Sequence, residues 1–97
     1  MESENLIPLE HLCTHYQVEL SFIQALTEFG LIEITTKEET HYLHNEQVNQ
    51  LEKWIRMHYD LEINFEGLDA ISHLLKRISR LQKELQLTRN RLSRYEE

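Results

Sequence analysis

Apolar residues recur along the chain at helical spacing, and the interruptions divide them into helical stretches around one short extended one. Leu9, Leu12 and Cys13 follow Pro8 at three- and four-residue steps. Proline suits the first turn of a helix, so this pattern predicts a short helix over 8–14. After His15, Tyr16 and Gln17, the residues Leu20, Ile23, Leu26 and Leu31 are offered to a core. They predict a second helix over 18–29, closed by Gly30 in the left-handed conformation. Residues 31–34 are apolar and β-branched, 35–39 are polar and turn-like, and 40–43 are again β-prone. That order predicts a small hairpin, or wing. Asn45 is a good capping residue for a third helix. Val48, Leu51, Trp54, Ile55 and His58 then carry the helical spacing to about residue 60, with Trp54 placed in the core.

The last stretch is different in kind. Asn64 is placed to cap it. From Ile71 onward the spacing is heptad, with Ile71, Ile78, Leu85 and Leu92 in one series and Leu74, Leu81, Thr88 and Tyr95 in the other. Only Thr88 breaks the apolar seam. Such a repeat marks a helix that packs along its length. At 1.5 Å per residue it would be roughly 35–40 Å long, longer than the preceding part is wide. The far end of the seam therefore needs a second helix, and dimerisation through Ile71, Leu74, Ile78, Leu81, Leu85, Leu92 and Tyr95 is the expectation. The plainer alternative is that the last two turns fray in solvent. Ile in one series and Leu in the other suits two parallel strands, although the pattern does not fix direction. The expected architecture is thus mostly α. A winged helix-turn-helix head with a small β-hairpin wing occupies 1–69, and a long C-terminal coiled-coil helix occupies 70–97, within one continuous domain.

Charge sharpens this division. The chain of 97 residues has a net charge of −7. Residues 1–69 hold 14 Asp and Glu against Lys37, Lys53 and Arg56, a net of −11, whereas 70–97 hold seven Lys and Arg against three Glu, a net of +4. An acidic head on a basic stem repels a phosphate backbone and attracts a cationic protein surface. Helix, turn, helix, wing and long helix is a DNA-binding layout. Yet the second helix would present Glu19, Ser21, Gln24, Thr27 and Glu28, with no Lys or Arg, and the wing offers Lys37 alone beside Glu38 and Glu39. Base contacts without phosphate anchoring give little affinity.

The remaining chemistry is sparse. Six histidines include the pairs His11/His15 and His41/His44, but there is no Cys-x-x-Cys and no convergent four-ligand set, so no metal is expected. There is no phosphate-binding glycine loop, nucleophile elbow or zinc-protease motif. Cys13, the single cysteine, lies in an apolar pattern and reads as a structural thiol rather than a nucleophile. The expectation is a non-enzyme without cofactor. Glu2 and Glu4 stand where a secretory leader would carry Lys or Arg, and no apolar run is long enough to span a bilayer, so a cytoplasmic location is expected.

The stretch Ile7-Pro8-Leu9-Glu10-His11-Leu12-Cys13, followed by Phe29-Gly30-Leu31-Ile32-Glu33, resembles the winged-helix family of MerR-type regulators. Tyr42, Val48, Leu51 and the segment 61–71 fall where that family has its wing and following helices. Within the superfamily the chain is more similar to the bacterial chaperone modulators of the CbpM family. These are short and acidic and end in a leucine-rich helix, much as Leu87 leads here to Arg91-Leu92-Ser93-Arg94. The resemblance spans nearly the whole chain. It implies a MerR-like fold, a homodimer, and a modulator that binds the J-domain of a DnaJ-like, CbpA-type co-chaperone. Such a modulator inhibits the co-chaperone by covering the surface its Hsp70 partner uses. The basic residues that true regulators carry in the second helix and wing are missing, which leaves a MerR-type DNA-binding transcriptional regulator as the alternative. Acids facing a cationic partner would be Glu33, Glu38, Glu39, Asp60, Glu62, Glu66 and Asp69.

Overall fold

A computed structural model describes residues 5–96; Glu2 and Glu4, weighed above, and Glu97 lie outside the described residues. Strand β1 (Leu6–Pro8) leads directly into helix α1 (Leu9–Tyr16), and α2 (Leu20–Glu28) follows after a three-residue turn. Strands β2 (Ile34–Lys37) and β3 (Thr40–His44) form the hairpin. A 3₁₀ turn (Asn45–Gln47) opens α3 (Val48–Ile55), a π-helical turn (Arg56–Asp60) closes it, and α4 (Phe65–Glu96) forms the stem. The helix-turn-helix, the wing and the long last helix are those expected from the sequence.

Local chemistry explains the boundaries. Pro8 is extended, at φ −59° and ψ 140°, and ends β1 instead of opening the helix at its first position. Gln17 makes the turn between α1 and α2 in the left-handed conformation, at φ 57°. The end of α2 is a Schellman motif: Gly30, at φ 74°, donates its N–H to Thr27 O, and Leu31 donates to Leu26 O. Asn45 does not cap the third helical segment, contrary to expectation. His44 takes that place, its Nδ1 accepting from Glu46 N–H at 3.2 Å, because the chain leaves β3 already extended at His44.

The sheet has three antiparallel strands in the order β1-β3-β2, with Ile7 and Ile34 both opposite Leu43. The outer strand β1 was not expected. The turn is also tighter than the polar run 35–39 implied, since Lys37 pairs with Thr40 and only Glu38 and Glu39 are left to form it. Thr35 and Thr36 carry β2 because their β-branched side chains suit an extended backbone.

The core is one cluster. Ile23 and Leu26 of α2, Leu43 of β3, Leu51 and Trp54 of α3, and Leu68 of α4 are almost completely buried, with Leu9, Leu12, Val18, Phe22, Leu31 and Ile32 around them. Trp54 Nε1 donates to Leu31 O at 3.3 Å, joining α3 to the segment after α2. Tyr16 Oη donates to Glu52 at 2.7 Å and ties α1 to α3; burial, then the Glu52 hydrogen bond and charge, push its hydroxyl up to about 12. Leu20, expected in the core, is 46% exposed, and Phe22 fills the core instead. Leu20 lies in the first turn of α2, where the helix reaches past the core toward the wing.

The stem is anchored at its start. Asn64 Oδ1 accepts from Gly67 N–H at 2.8 Å, the expected cap, and Leu68 and Ser72 are buried against the head. A Cβ on Gly67 would stand 2.7 Å from Ile63 Cγ2 and 3.1 Å from Asn64 Oδ1. Glycine within a helix normally costs about 1 kcal/mol relative to alanine. Here the sign should reverse: Gly67→Ala is expected to destabilise by about 1–3 kcal/mol, and Asn64→Ala by about 1 kcal/mol, in urea unfolding followed by circular dichroism. A Gly67→Ala variant more stable than the parent would contradict the packing of this cap.

Candidate functional site

Three surfaces carry chemistry: the α2–wing face, the junction of head and stem, and the stem seam. On the first, α2 exposes Leu20, Ser21, Gln24 and Glu28, preceded by exposed Glu19. None is cationic. Thr27, expected on the surface, is half-buried and donates its hydroxyl to Ile23 O at 3.0 Å. Lys37 is the one Lys or Arg on the hairpin, immediately before Glu38 and Glu39 at its tip. A helix-turn-helix that meets DNA needs cations on this face to replace released counterions, and this one carries carboxylates there.

The seven acids proposed to face a partner fall at separate places in the fold. Glu33 precedes β2; its backbone N–H donates to Gln47 Oε1 at 2.8 Å and its carbonyl accepts from Gln47 Nε2 at 3.3 Å, while its side chain is exposed. Glu38 and Glu39 occupy the hairpin tip. Asp60 ends the π-helical turn, Glu62 follows it at φ 57°, and Glu66 and Asp69 lie in the first turns of α4. Asp69 is half-buried and pairs with His73 at 3.4 Å.

At the junction, His58 stacks on Phe65, with centroids 4.8 Å apart and an interplanar angle of 26°, and lies 5.1 Å from Phe22. Its Nδ1–H donates to Ile63 O at 2.8 Å, closing the loop between α3 and α4. Phe29 stacks on the same Phe65. Aromatic side chains thus weld the stem to α2, a role for His58 beyond the helix-face position its spacing indicated. Tyr59 is half exposed beside Phe22; burial first, then Glu19, push its hydroxyl up.

Along the stem, Ile71 is half-buried against the head, and the seam opens from there. Leu74, Ile78, Leu81, Leu85 and Leu92 are each 49–57% exposed, and Tyr95 is 87% exposed. Leu75 and Leu87 add exposed apolar surface off the seam.

Four of the six histidines serve local structure. His41 Nδ1 lies 2.9 Å from Thr36 Oγ1, His44 caps, His58 bridges and His73 pairs, while His11 and His15 are exposed. Among the described residues no group of three or more His, Cys, Asp or Glu is arranged to hold a metal ion, and no helix is long and apolar enough to cross a membrane.

A winged helix-turn-helix head on a long helical stem matches a known family. A family model described as MerR HTH family regulatory protein covers residues 7–90, and the chain belongs to that family. Over 92% of its length it is also similar to chaperone modulatory proteins CbpM. The relative from Pseudomonas putida (strain W619) is 22% identical across 89% of its own length. Those from Pseudomonas entomophila (strain L48) and Pseudomonas putida (strain GB-1) are 21% and 24% identical over the same shares. No solved structure matches the chain.

Cys13 is half-buried, and burial, with Glu10 adding to it, raises its thiol above the ordinary value. Since the thiolate is the reactive form, Cys13 is expected to alkylate with iodoacetamide several-fold more slowly than a small free thiol at neutral pH. Faster alkylation would identify an activated thiol and contradict its structural role.

Proposed function

We propose that this chain is a chaperone modulator that binds the J-domain of a DnaJ/CbpA-like co-chaperone and inhibits its co-chaperone activity. It works in the cytoplasm as a homodimer, without a cofactor or catalysis of its own. The observation that carries this reading is the acidic α2–wing face of a MerR-like head, with no Lys or Arg on α2 and Lys37 alone on the hairpin, together with the name its relatives bear. The family description does not by itself favour transcriptional regulation by DNA binding, because affinity for DNA comes largely from Lys and Arg at the phosphates, and this face offers Lys37 alone.

Charge sets the partner's chemistry. A head with a net of −11 over 1–69 steers a cationic protein surface toward itself and competes for it. Glu33, Glu38, Glu39, Asp60, Glu62, Glu66 and Asp69 are the acids that would meet that surface. Long-range attraction sets encounter and selectivity, while apolar contact supplies most of the affinity. By occupying the surface through which the co-chaperone engages its Hsp70, the modulator silences it.

The dimer rests on the stem. The apolar residues of the seam beyond Ile71 are about half exposed or more, and a second copy of α4 covers them with Leu74, Ile78, Leu81, Leu85, Leu92 and Tyr95 at the interface. Replacing Leu81 and Leu85 together with Asp is expected to halve the mass in sedimentation equilibrium and to leave the head's circular dichroism intact. A wild-type protein sedimenting as a monomer overturns the dimer.

The partner is tested directly. A J-domain mixed with the protein at low salt should form a complex in gel filtration and calorimetry, and should lose its stimulation of Hsp70 ATP hydrolysis. Affinity should fall as ionic strength rises from about 0.01 to about 0.15 M, which shortens the screening length from about 30 to about 8 Å. Absence of any complex at low salt overturns the proposal.

A further inference from the structure

The α2–wing face is not flat. Two adjoining hollows of about 540 and 390 Å³ share Leu9, Leu20 and His41, and together form one trough between the two helices of the helix-turn-helix and the hairpin. Leu9 is buried and Ile34 half-buried, and Leu20, in the first turn of α2, lines both hollows. Carboxylates come from three separate elements: Glu10 from α1, Glu28 from α2 and Glu39 from the hairpin tip. No Lys or Arg lines either hollow.

We infer that this trough is the seat for a cationic amphipathic helix of the partner, which places an aliphatic side chain against Leu20, Leu9 and Ile34 and its Lys or Arg residues against Glu10, Glu28 and Glu39. The inference rests on the function proposed above and narrows it to one surface. Of the seven acids named there, only Glu39 lines the trough; Glu10 and Glu28 join it through the fold. Charge complementarity sets the sign of the occupant, since a neutral or acidic segment would bury carboxylates without a partner. The polar lining sets its backbone. Thr27 and Thr36 already bond to Ile23 O and the His41 ring. A helix, which satisfies its own peptide groups, asks nothing of these two hydroxyls and so suits this lining.

The hairpin tip supports the same assignment. Glu38 and Glu39 both stand at positive φ, 51° and 67°, in a two-residue turn that Asn-Gly would adopt without strain. Two acids held there at a conformational cost are poor choices for the turn and good ones for a cation beside it.

The experiment measures binding of a CbpA-like J-domain, by calorimetry at low salt, to the full chain and its variants. Leu20→Arg is expected to weaken binding about tenfold or more, as loss of a central anchor does, and Glu39→Lys several-fold. Glu46→Lys, the same charge change at an exposed site outside the trough, should leave affinity within about twofold. The pair Glu38→Asn and Glu39→Gly separates structure from binding: it should raise the thermal midpoint and yet weaken the complex. If wild type binds and the trough variants bind equally well, the trough is wrong and the modulator survives. If trough variants change the self-association mass instead, the occupant is a second copy and the inference falls. If wild type ignores the J-domain, the proposed function falls. The trough is then judged with a synthetic peptide of Leu and Lys at helical spacing: amide shifts confined to Leu9, Leu20, Gln24 and Ile34 uphold it, and their absence overturns it.

Discussion

The indole of Trp54 holds the head together. It is buried against the aliphatic core, and its N–H reaches the carbonyl of Leu31, one residue past the left-handed Gly30 that ends α2. A helix terminus leaves carbonyls without helical partners, and the segment that follows must find its own. Here the Schellman bonds serve the carbonyls of Leu26 and Thr27, and Trp54 serves that of Leu31, beyond the helix end. Because Leu31 and Ile32 are buried by this arrangement, the chain enters β2 at a fixed place. The wing, the helix-turn-helix and α3 are thereby held in one orientation, and the stem inherits it through Leu68 and the aromatic group around His58.

On that frame the charges have a consistent direction. The face that a helix-turn-helix offers to DNA is that of its second helix, and the wing lies beside it here. In this chain the offered face carries Glu19, Glu28, Glu38 and Glu39, and the cations lie mainly on the stem. The architecture needed for a nucleic-acid reader is intact, while the electrostatics suit a cationic protein. The DNA-reading layout and the charge on its face differ here over a handful of surface side chains, none of which contributes to the core.

Much of this was legible from the residues. Heptad spacing from Ile71 located the stem, Gly30 marked the end of α2, Asn64 its cap on α4, and Trp54 read correctly as core. The misses have physical causes. Leu6-Ile7-Pro8 is too short to show alternation, and its pairing with β3 depends on residues more than thirty positions away. The turn at Glu38 and Glu39 lacks the Asn or Gly by which such turns are recognised. Leu20 fits the helical stripe of the core but sits where the helix outruns it. The charge balance of the head was visible from composition; the trough was not, because Leu20 reads as an ordinary core position and only the fold brings Leu9 and Ile34 beside it.

The small sheet has a consequence for how copies of the protein meet. A three-stranded sheet leaves two outer strands whose unpaired backbone groups invite a neighbour to add another strand. One of them, β1, is three residues long and ends in Pro8, which has no N–H to give. The other, β2, is four residues long, ends in Lys37 and runs into Glu38 and Glu39, and this charged end and its left-handed turn discourage extension. Short strands, a proline and a charged turn thus make both rims poor templates for fibre-like stacking, so an acidic protein with an apolar helical seam is steered away from runaway polymerisation through its β-structure.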